Sequence, residues 1–201
     1  LPDGALLLRS AFGAVPQLLR LAAPGARPEP LTFHPRPVVS AQVAATAGFS
    51  FLLQRERAVQ LYDFRLIDRS VRRIGDAAAV HRDPLWSRDA RRLAYTSNMR
   101  NGIDQDLYIT ETGAAAEAPR LLAAGGLVDG RRRAWQALAW SADDSRLLLR
   151  QYLRDGGGVA REAGRLFVAA IASGTVSPLY SDSASGDAAS PSVGAARWSA
   201  D

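Results

Sequence analysis

The sequence predicts an all-β fold: a β-propeller, present as an incomplete arc of about three four-stranded blades plus the start of a fourth. Three observations predict this fold. A tryptophan-led segment recurs along the chain, short strand-like runs follow it, and turn-forming residues separate those runs. The repeat extends over residues 1–201, so we expect a single propeller fragment.

The composition is that of a folded domain with its own core. Of the 201 residues, 47% are hydrophobic and 22% are charged, which is the ordinary profile of a globular domain. No stretch approaches the roughly 18 uninterrupted apolar residues that cross a bilayer, so we expect no membrane span. Cysteine is absent, which excludes disulfides and thiolate metal sites. The compartment stays open, with a periplasmic or secreted location favoured over a cytoplasmic one.

The clearest copies of the repeat lie in the second half of the chain. Residues 85–95 (Leu-Trp-Ser-Arg-Asp-Ala-Arg-Arg-Leu-Ala-Tyr) recur as residues 139–149 (Ala-Trp-Ser-Ala-Asp-Asp-Ser-Arg-Leu-Leu-Leu), and a third copy begins at Trp198. The spacing is 54 residues from Trp86 to Trp140 and 58 from Trp140 to Trp198. A four-stranded blade takes ~40–50 residues, so longer loops account for the excess.

Two weaker copies precede them. Residues 2–8 (Pro-Asp-Gly-Ala-Leu-Leu-Leu) have the same turn-then-strand pattern, and Asp3 lies 86 residues, twice 43, before Asp89. A degenerate unit is therefore expected between them, and Gly48–Leu53 supplies its strand although the tryptophan and aspartate are missing. We expect blades at about residues 1–33, 34–76, 77–126 and 127–181, with 182–201 starting another blade.

The later strands of each unit follow in a constant order, each bounded by turn residues. The predicted strands are Val59–Arg65, Val71–Ile74, Asp106–Thr110, Pro119–Leu122, Arg165–Ile171 and Val176–Leu179. The predicted turns and loops lie at Asp68–Ser70, Asn98–Gln105, Gly113, Gly156–Gly158 and Ser173-Gly174, and Ser181–Ser192 is expected to connect two blades.

Structural roles are expected for the repeated tryptophans and aspartates. Blades bury their apolar faces against neighbouring blades, and Trp86 and Trp140, each ending a first strand, are expected to fill the space between sheets. Asp89 and Asp143 follow in the turns, where a carboxylate can accept hydrogen bonds from backbone N–H groups and fix a tight hairpin.

The repeat motif resembles a known family. Trp-Ser-x-Asp turns, aliphatic strands and Asp-Leu-Tyr strands resemble the N-terminal β-propeller of prolyl oligopeptidase family serine peptidases and, more distantly, TolB-like propellers. The stretches nearest to the peptidases are Glu29–Val38, Leu93–Asp104 and Ser145–Tyr152. The resemblance covers nearly the whole chain, but residues 88–90 (Arg-Asp-Ala) and 142–144 (Ala-Asp-Asp) replace the family's usual Pro-Asp-Gly.

The resemblance implies two alternative functions. The first is the propeller portion of a prolyl-oligopeptidase-like serine peptidase, which gates peptide substrates and docks a C-terminal α/β-hydrolase domain. That domain is absent from this chain, since the Gly-x-Ser-x-Gly elbow that exposes its nucleophile does not occur. The alternative is a TolB-like, non-enzymatic propeller that binds a protein or peptide partner on its face.

No residue of this chain is assigned a catalytic, cofactor-binding or metal-binding role. His34 and His81 lie near prolines in predicted connections between blades, and no serine has an activating context. Residues 156–158 (Gly-Gly-Gly) are not a phosphate loop, since no Lys-Ser/Thr follows; they are expected at a hairpin tip.

A polar segment before one predicted strand offers oxygen ligands from Asn98, Asn101, Asp104 and Asp106. A calcium loop would need a stricter alternation of aspartates, a glycine and a terminal glutamate. The segment therefore predicts a hydrogen-bonded turn.

The net charge of +5 does not indicate a nucleic-acid partner. The arginines are spread along the chain, and their one dense run, Arg131–Arg133, is expected in a solvated loop. No recognised nucleic-acid-binding fold or alternation of aromatic and basic residues is present. An open arc also leaves sheet edges without partners, so we expect the isolated chain to pair with another chain or to aggregate.

Overall fold

The computed structural model of the chain is built from strands and turns. It describes residues 1–11, 13–46, 48–112, 118–128, 130–154, 160–179 and 196–199. The strands of the described residues are β1 (Leu6–Ser10), β2 (Gln17–Leu21), β3 (Glu29–Pro30), β4 (Val38–Val43), β5 (Gly48–Gln54), β6 (Val59–Arg65), β7 (Val71–Ile74), β8 (His81–Trp86), β9 (Arg92–Ser97), β10 (Asp106–Glu111), β11 (Arg120–Ala123), β12 (Gly126–Val128), β13 (Arg131–Trp140), β14 (Arg146–Arg154), β15 (Ala160–Ala170) and β16 (Val176–Pro178).

These strands form four antiparallel sheets, each made of strands consecutive in sequence. The first sheet contains β1–β3, the second β4–β7, the third β8–β11 and the fourth β12–β16. The predicted all-β fold, a partial β-propeller, is confirmed. Two of the sheets do not have four strands. The first sheet has three, because β1 already follows the Asp3 turn, as β9 follows the Asp89 turn. The fourth sheet has five, because β12 is an additional strand paired with the start of β13.

Most predicted strands have the expected position. β6 and β7 have the predicted bounds, and β5, β10, β11 and β16 differ by one residue at one or both ends. β15 begins earlier than expected, at Ala160, and pairs along its length with a long β14. The predicted loops at Gly113, 156–158 and 181–192 lie outside the described residues, and the division into blades at the stated boundaries stays a prediction.

The predictions of a connection are wrong for two segments. Arg131–Arg133 begins β13 instead of forming a solvated loop, because Gly126–Val128 folds back and pairs with it. His81 begins β8 and pairs with Ser97 of β9. Both predictions used local composition alone, which does not show whether a segment pairs with another strand.

The hydrophobic core lies between the sheets, in three clusters. The first and second sheets share a cluster that includes Leu18 and Phe51. The second and third share one around Leu61 and Tyr95, and the third and fourth one around Leu107. Each sheet therefore buries a face against its neighbour, which is the packing of propeller blades.

Strands of successive sheets lie next to one another: β4 of the second sheet contacts β8 of the third, and β8 contacts β13 of the fourth. Each of them has a β-bulge, at the steps Val38/Ser40, Arg82/Leu85 and Ala137/Ala139. Bulges twist an edge strand and interrupt its ladder, which discourages pairing with another chain. The described residues form no helix that could cross a membrane.

Candidate interaction surface

The repeated tryptophans join successive sheets through their indole N–H groups. Trp86 donates to Ser50 Oγ of the second sheet at 3.1 Å, and Trp140 donates to the Leu85 carbonyl of the third sheet at 3.1 Å. Trp198 repeats the contact, donating to the Ala139 carbonyl of the fourth sheet at 3.2 Å. Trp86 and Trp140 therefore fill the space between sheets as predicted, and all three indoles have a polar partner.

The turn aspartates have the predicted role. Asp89 Oδ1 accepts hydrogen bonds from the Arg91 amide and the Ser87 hydroxyl, and Asp143 Oδ1 accepts them from the Ser145 amide and the Ser141 hydroxyl. The hydrogen bonds from Ser141 and Ser145 hold the pKa of Asp143 far below its ordinary value. Both carboxylates are thus committed to their own turns.

The residue after each turn aspartate is in the left-handed region, which favours glycine. Ala90 has φ 56° and Asp144 has φ 55°. The Asp144 carboxylate accepts hydrogen bonds from the backbone amides of Arg88 and Asp89, both at 2.9 Å. This side chain therefore ties the turn of the fourth sheet to the turn of the third, a role that sequence inspection missed.

His34 lies, as predicted, in the connection between two sheets. The side chain of Gln17 fixes this connection, donating to the His34 carbonyl and accepting from the His34 amide, both at 2.9 Å. The imidazole stacks on Tyr62 at 6.1 Å between ring centroids. Burial, followed by the charge of Arg55, lowers the pKa of His34. These contacts position the chain as it passes from the first sheet to the second.

A cleft of about 530 Å³ adjoins His34, with Gln17, Leu19 and Pro30 in its wall. Leu18 points into the core shared with the second sheet, so Leu19, the next residue in the strand, points to the opposite face. The amide of Gln17 is already occupied by backbone groups. The cleft therefore has the character of a sheet-packing face more than of a ligand pocket.

Neither histidine pairs with a nucleophile in the part of the chain that the structure describes. His81 Nε2 is 2.8 Å from the Asp76 carbonyl, and the His34 ring contacts aromatic side chains. A catalytic base must lie within hydrogen-bond reach of the hydroxyl that it activates. The imidazoles therefore serve packing and backbone hydrogen bonding.

The polar segment that offered calcium ligands is a hydrogen-bonded turn, as predicted. Asp106 is fully buried. Arg100 donates to both of its carboxylate oxygens, from Nε to Oδ2 at 2.7 Å and from Nη2 to Oδ1 at 3.0 Å. The Gly125 amide also donates to Oδ1, at 2.7 Å. The carboxylate is thus held in a two-pronged arginine pair of the stronger, charge-assisted kind.

Asp104, at the same turn, is also occupied. It accepts hydrogen bonds from the Asn101 amide group and from the Arg132 guanidinium. Burial raises the pKa of Asp104, but these two hydrogen bonds together with the charges of Arg132 and Arg100 outweigh burial and leave the pKa below its ordinary value. Among the described residues, no group of three or more histidine, cysteine, aspartate or glutamate side chains could hold a metal ion.

The connection from the third to the fourth sheet is packed without spare space. A Cβ atom at Gly125 would lie 2.7 Å from the Gln105 carbonyl oxygen and 2.9 Å from the Arg133 carbonyl oxygen. The Gly125 carbonyl also accepts a hydrogen bond from Arg100, and the neighbouring Ala124 carbonyl accepts one from Trp135. This connection is therefore fixed from both sheets.

Two large apolar side chains are exposed at this fixed connection. Ile103 is 56% exposed and Leu127 is 67% exposed. Leu127 lies opposite Arg132 in the β12–β13 pair, so both point to the same side, and Arg132 donates to Asp104, the residue after Ile103. Ile103, Leu127, Arg100 and Arg132 therefore share one region, called here the junction surface.

Sequence inspection noticed only part of the junction surface. The sequence predicted the turn containing Ile103, but it gave no role to Leu127 and placed Arg132 in a solvated loop. A signal was present: Asp129-Gly130 between two short runs is the strongest local indication of a β-hairpin. Gly130 has φ 72°, as such a turn requires.

Comparisons with known proteins agree with the architecture. Neither a protein-family model nor a curated protein sequence matches the chain. The crystal structure of TolB from Acinetobacter baumannii matches over 89% of this chain and 41% of its own, with 17% identity and a TM-score of 0.58. Putative TolB from Agrobacterium tumefaciens matches over 77% of this chain and 50% of its own, with 18% identity and a TM-score of 0.49. The chain spans half or less of either TolB chain, and it has a TolB-like β-propeller fold.

Proposed function

We propose that this chain is a TolB-like, non-enzymatic propeller module that binds a protein or peptide partner, and that the junction surface contacts the partner. The observation that carries the proposal is the pair of exposed apolar side chains, Ile103 and Leu127, beside the partly exposed Arg100 and Arg132. The fully buried centre of a protein interface is rich in apolar surface, and arginine is among the residues that most often dominate binding energy there.

The rigidity of the junction surface supports the proposal. The ion pair of Arg100 with the buried Asp106 and the close packing at Gly125 hold the two loops before any partner binds. A surface that is already ordered loses less conformational entropy on association. The binding energy of the apolar side chains is therefore available for affinity rather than for ordering loops.

A peptide-display experiment tests this function. Random peptides displayed on phage are selected on the immobilised chain, and the affinities of the selected peptides are measured by calorimetry. The double variant Ile103→Ser/Leu127→Ser is expected to weaken binding by roughly tenfold or more, because burying a large aliphatic side chain contributes about 1.5–3 kcal/mol. Because both side chains are exposed to solvent, the double variant is expected to leave the hydrophobic core unchanged.

The matched control is Ile67→Ser. Ile67 is 87% exposed, but it lies in the turn between the third and fourth strands of the second sheet, at the opposite ends of the strands from the turn of Ile103. This variant is expected to bind the selected peptides as the parent chain does. Equal affinity of all three proteins, or failure to select any peptide, would count against the junction surface as a binding site.

The second candidate is the propeller portion of a prolyl-oligopeptidase-like serine peptidase. The stretch Leu93–Asp104 supports it, since this is one of the three stretches nearest to that family and the one that forms β9 and the turn of the junction surface. The parent gene is expected to encode a Gly-x-Ser-x-Gly elbow downstream of Asp201. A reading frame that continues without this elbow would remove the candidate. We also propose that the protein is periplasmic or secreted.

A further inference from the structure

His81 occupies a fully buried position between the second and third sheets. It begins β8, and its side chain is 0% exposed. The ring lies edge-on to Tyr95 at 5.5 Å between centroids. Gly75 allows this close packing, because a Cβ atom there would lie 2.7 Å from His81 Cε1.

Hydrogen bonding fixes the proton position on the His81 ring. Nε2 is 2.8 Å from the Asp76 carbonyl oxygen, and because a carbonyl only accepts, Nε2 must carry the hydrogen. Nδ1 is buried and has no hydrogen-bond partner within the part of the chain that the structure describes. A second proton would therefore place a charged N–H group in the interior without an acceptor, which is strongly unfavourable.

The backbone around His81 joins the two sheets. The Val59 amide of the second sheet donates to the Ala79 carbonyl at 3.2 Å. The Val80 amide donates to Asn98 Oδ1 at 2.7 Å, which links the connection to the turn after β9. Any displacement of His81 thus acts on Val59 in one direction and on Asn98 in the other.

We propose that His81 is a pH-sensitive switch in this junction: the neutral imidazole keeps the second and third sheets packed, and protonation at mildly acidic pH loosens the contact between them. The proposal does not depend on the identity of any binding partner. It would make the arc rigid at neutral pH and hinged at the second–third junction in acid.

The charges around His81 agree in sign with this switch. Burial is the largest influence and lowers the pKa of His81; the Asp76 backbone carbonyl and carboxylate raise it, and Arg73 of β7 lowers it further. Tyr95 of β9 is neutral there, since burial raises its pKa well above the ordinary value. The net effect is a pKa below that of an exposed histidine.

The direction of the pH dependence follows from this shift. In the unfolded or opened chain His81 takes up a proton near pH 6.5, while the packed ring does not. The stabilising effect of the neutral ring is therefore complete above about pH 6.5 and is lost as the pH falls below it. Between pH 7.5 and 5.0 the opening equilibrium is expected to shift by roughly tenfold or more.

Hydrogen exchange of single amides tests the switch. Exchange rates are corrected for the intrinsic effect of pH, and the Val59 amide is followed at pH 7.5 and 5.0 in the parent chain, in His81→Gln and in His34→Gln. Glutamine at position 81 keeps an N–H donor for the Asp76 carbonyl but cannot become charged. We expect faster opening at pH 5.0 in the parent chain and in His34→Gln, and no pH effect in His81→Gln.

Unchanged protection of Val59 between the two pH values in the parent chain would overturn the proposal, and so would an equal acid effect in His81→Gln. If His81→Gln does not fold, the imidazole resonances of the parent chain decide. The chain has only two histidines, so each ring can be assigned and titrated by NMR. A His81 ring that titrates at or above pH 6.5 while the sheets stay packed would also overturn the proposal.

Discussion

Ala90 and Asp144 occupy the same place in successive turns, with almost identical backbone conformation. A left-handed conformation costs a residue with a Cβ atom about 1–2 kcal/mol relative to glycine. For Ala90, only the burial of its methyl group offsets this cost. For Asp144 it is offset by two hydrogen bonds to the neighbouring turn. The same strain is therefore kept for two different reasons.

Replacement of each residue by glycine separates these reasons. Ala90→Gly is expected to change the free energy of unfolding by less than about 0.5 kcal/mol, because relief of strain balances the lost methyl group and the greater freedom of the unfolded chain. Asp144→Gly is expected to cost about 2 kcal/mol, because two backbone amides lose a charged acceptor. Urea unfolding measures both, and equal effects at the two positions would contradict this account.

At the scale of the strand, Trp86 ends β8 and Trp140 ends β13, and each donates a hydrogen bond to the preceding sheet. Ser50, which accepts the Trp86 N–H, is fully buried in β5. Trp140 and Trp198 instead donate to backbone carbonyls. The second–third junction is therefore the one of these three in which a side chain is the acceptor.

A double-mutant cycle measures the Trp86–Ser50 bond. Trp86→Phe removes the donor and Ser50→Ala removes the acceptor, and each is expected to destabilise the chain. Both single variants lose the same hydrogen bond, so the sum of their two losses includes that bond twice. The double variant is therefore expected to be destabilised by about 1 kcal/mol less than this sum. Denaturant unfolding of the four proteins provides the cycle. Strict additivity would show that the contact contributes packing alone.

At the scale of the whole molecule, the sheets form a series in which each contacts its neighbours. The three core clusters lie between successive sheets, so stability is expected to be transmitted mainly from neighbour to neighbour. A weakened junction should then affect nearby sheets more than distant ones. This organisation also explains how a junction such as that of His81 could open without unfolding the arc.

Trp140→Phe tests this local transmission. Loss of the bond to the Leu85 carbonyl is expected to lower hydrogen-exchange protection in β8–β16, on both sides of the third–fourth junction, while the amides of β1–β3 keep their protection. Exchange measured by mass spectrometry on proteolytic fragments resolves the sheets. The same loss of protection in β1–β3 would indicate that the arc unfolds as one cooperative unit.

Strand positions could be predicted from the sequence where the signal is local. Val59–Arg65 and Val71–Ile74 have β-branched or aromatic residues bounded by a turn, and both strands have the predicted bounds. A loop was predicted at Arg131–Arg133 because a run of charged residues does not by itself indicate pairing with another strand. His81 was placed in a connection for a similar reason, since its pairing with Ser97 crosses a hairpin.

The residues of the candidate site were less accessible to sequence reasoning. The turn at Asn98–Asp106 was identified by its polar side chains, and the aspartates were correctly read as part of a hydrogen-bonded turn. Their partners Arg132 and Gly125 are distant in sequence. The junction surface depends on this long-range arrangement, and so it could not be assembled from any single motif.

The sequence by itself determined the repeat, the strand order and the roles of the turn aspartates, because these depend on contacts within a few residues. Only the tertiary structure decided which side chains cross between sheets: Asp144 to the next turn, Trp86 to Ser50, and Arg132 to Asp104. Burial between the sheets likewise decided which protonation state of the His81 imidazole is favoured. Such contacts depend on how the sheets stack, and stacking brings together residues whose separation along the chain leaves no local pattern.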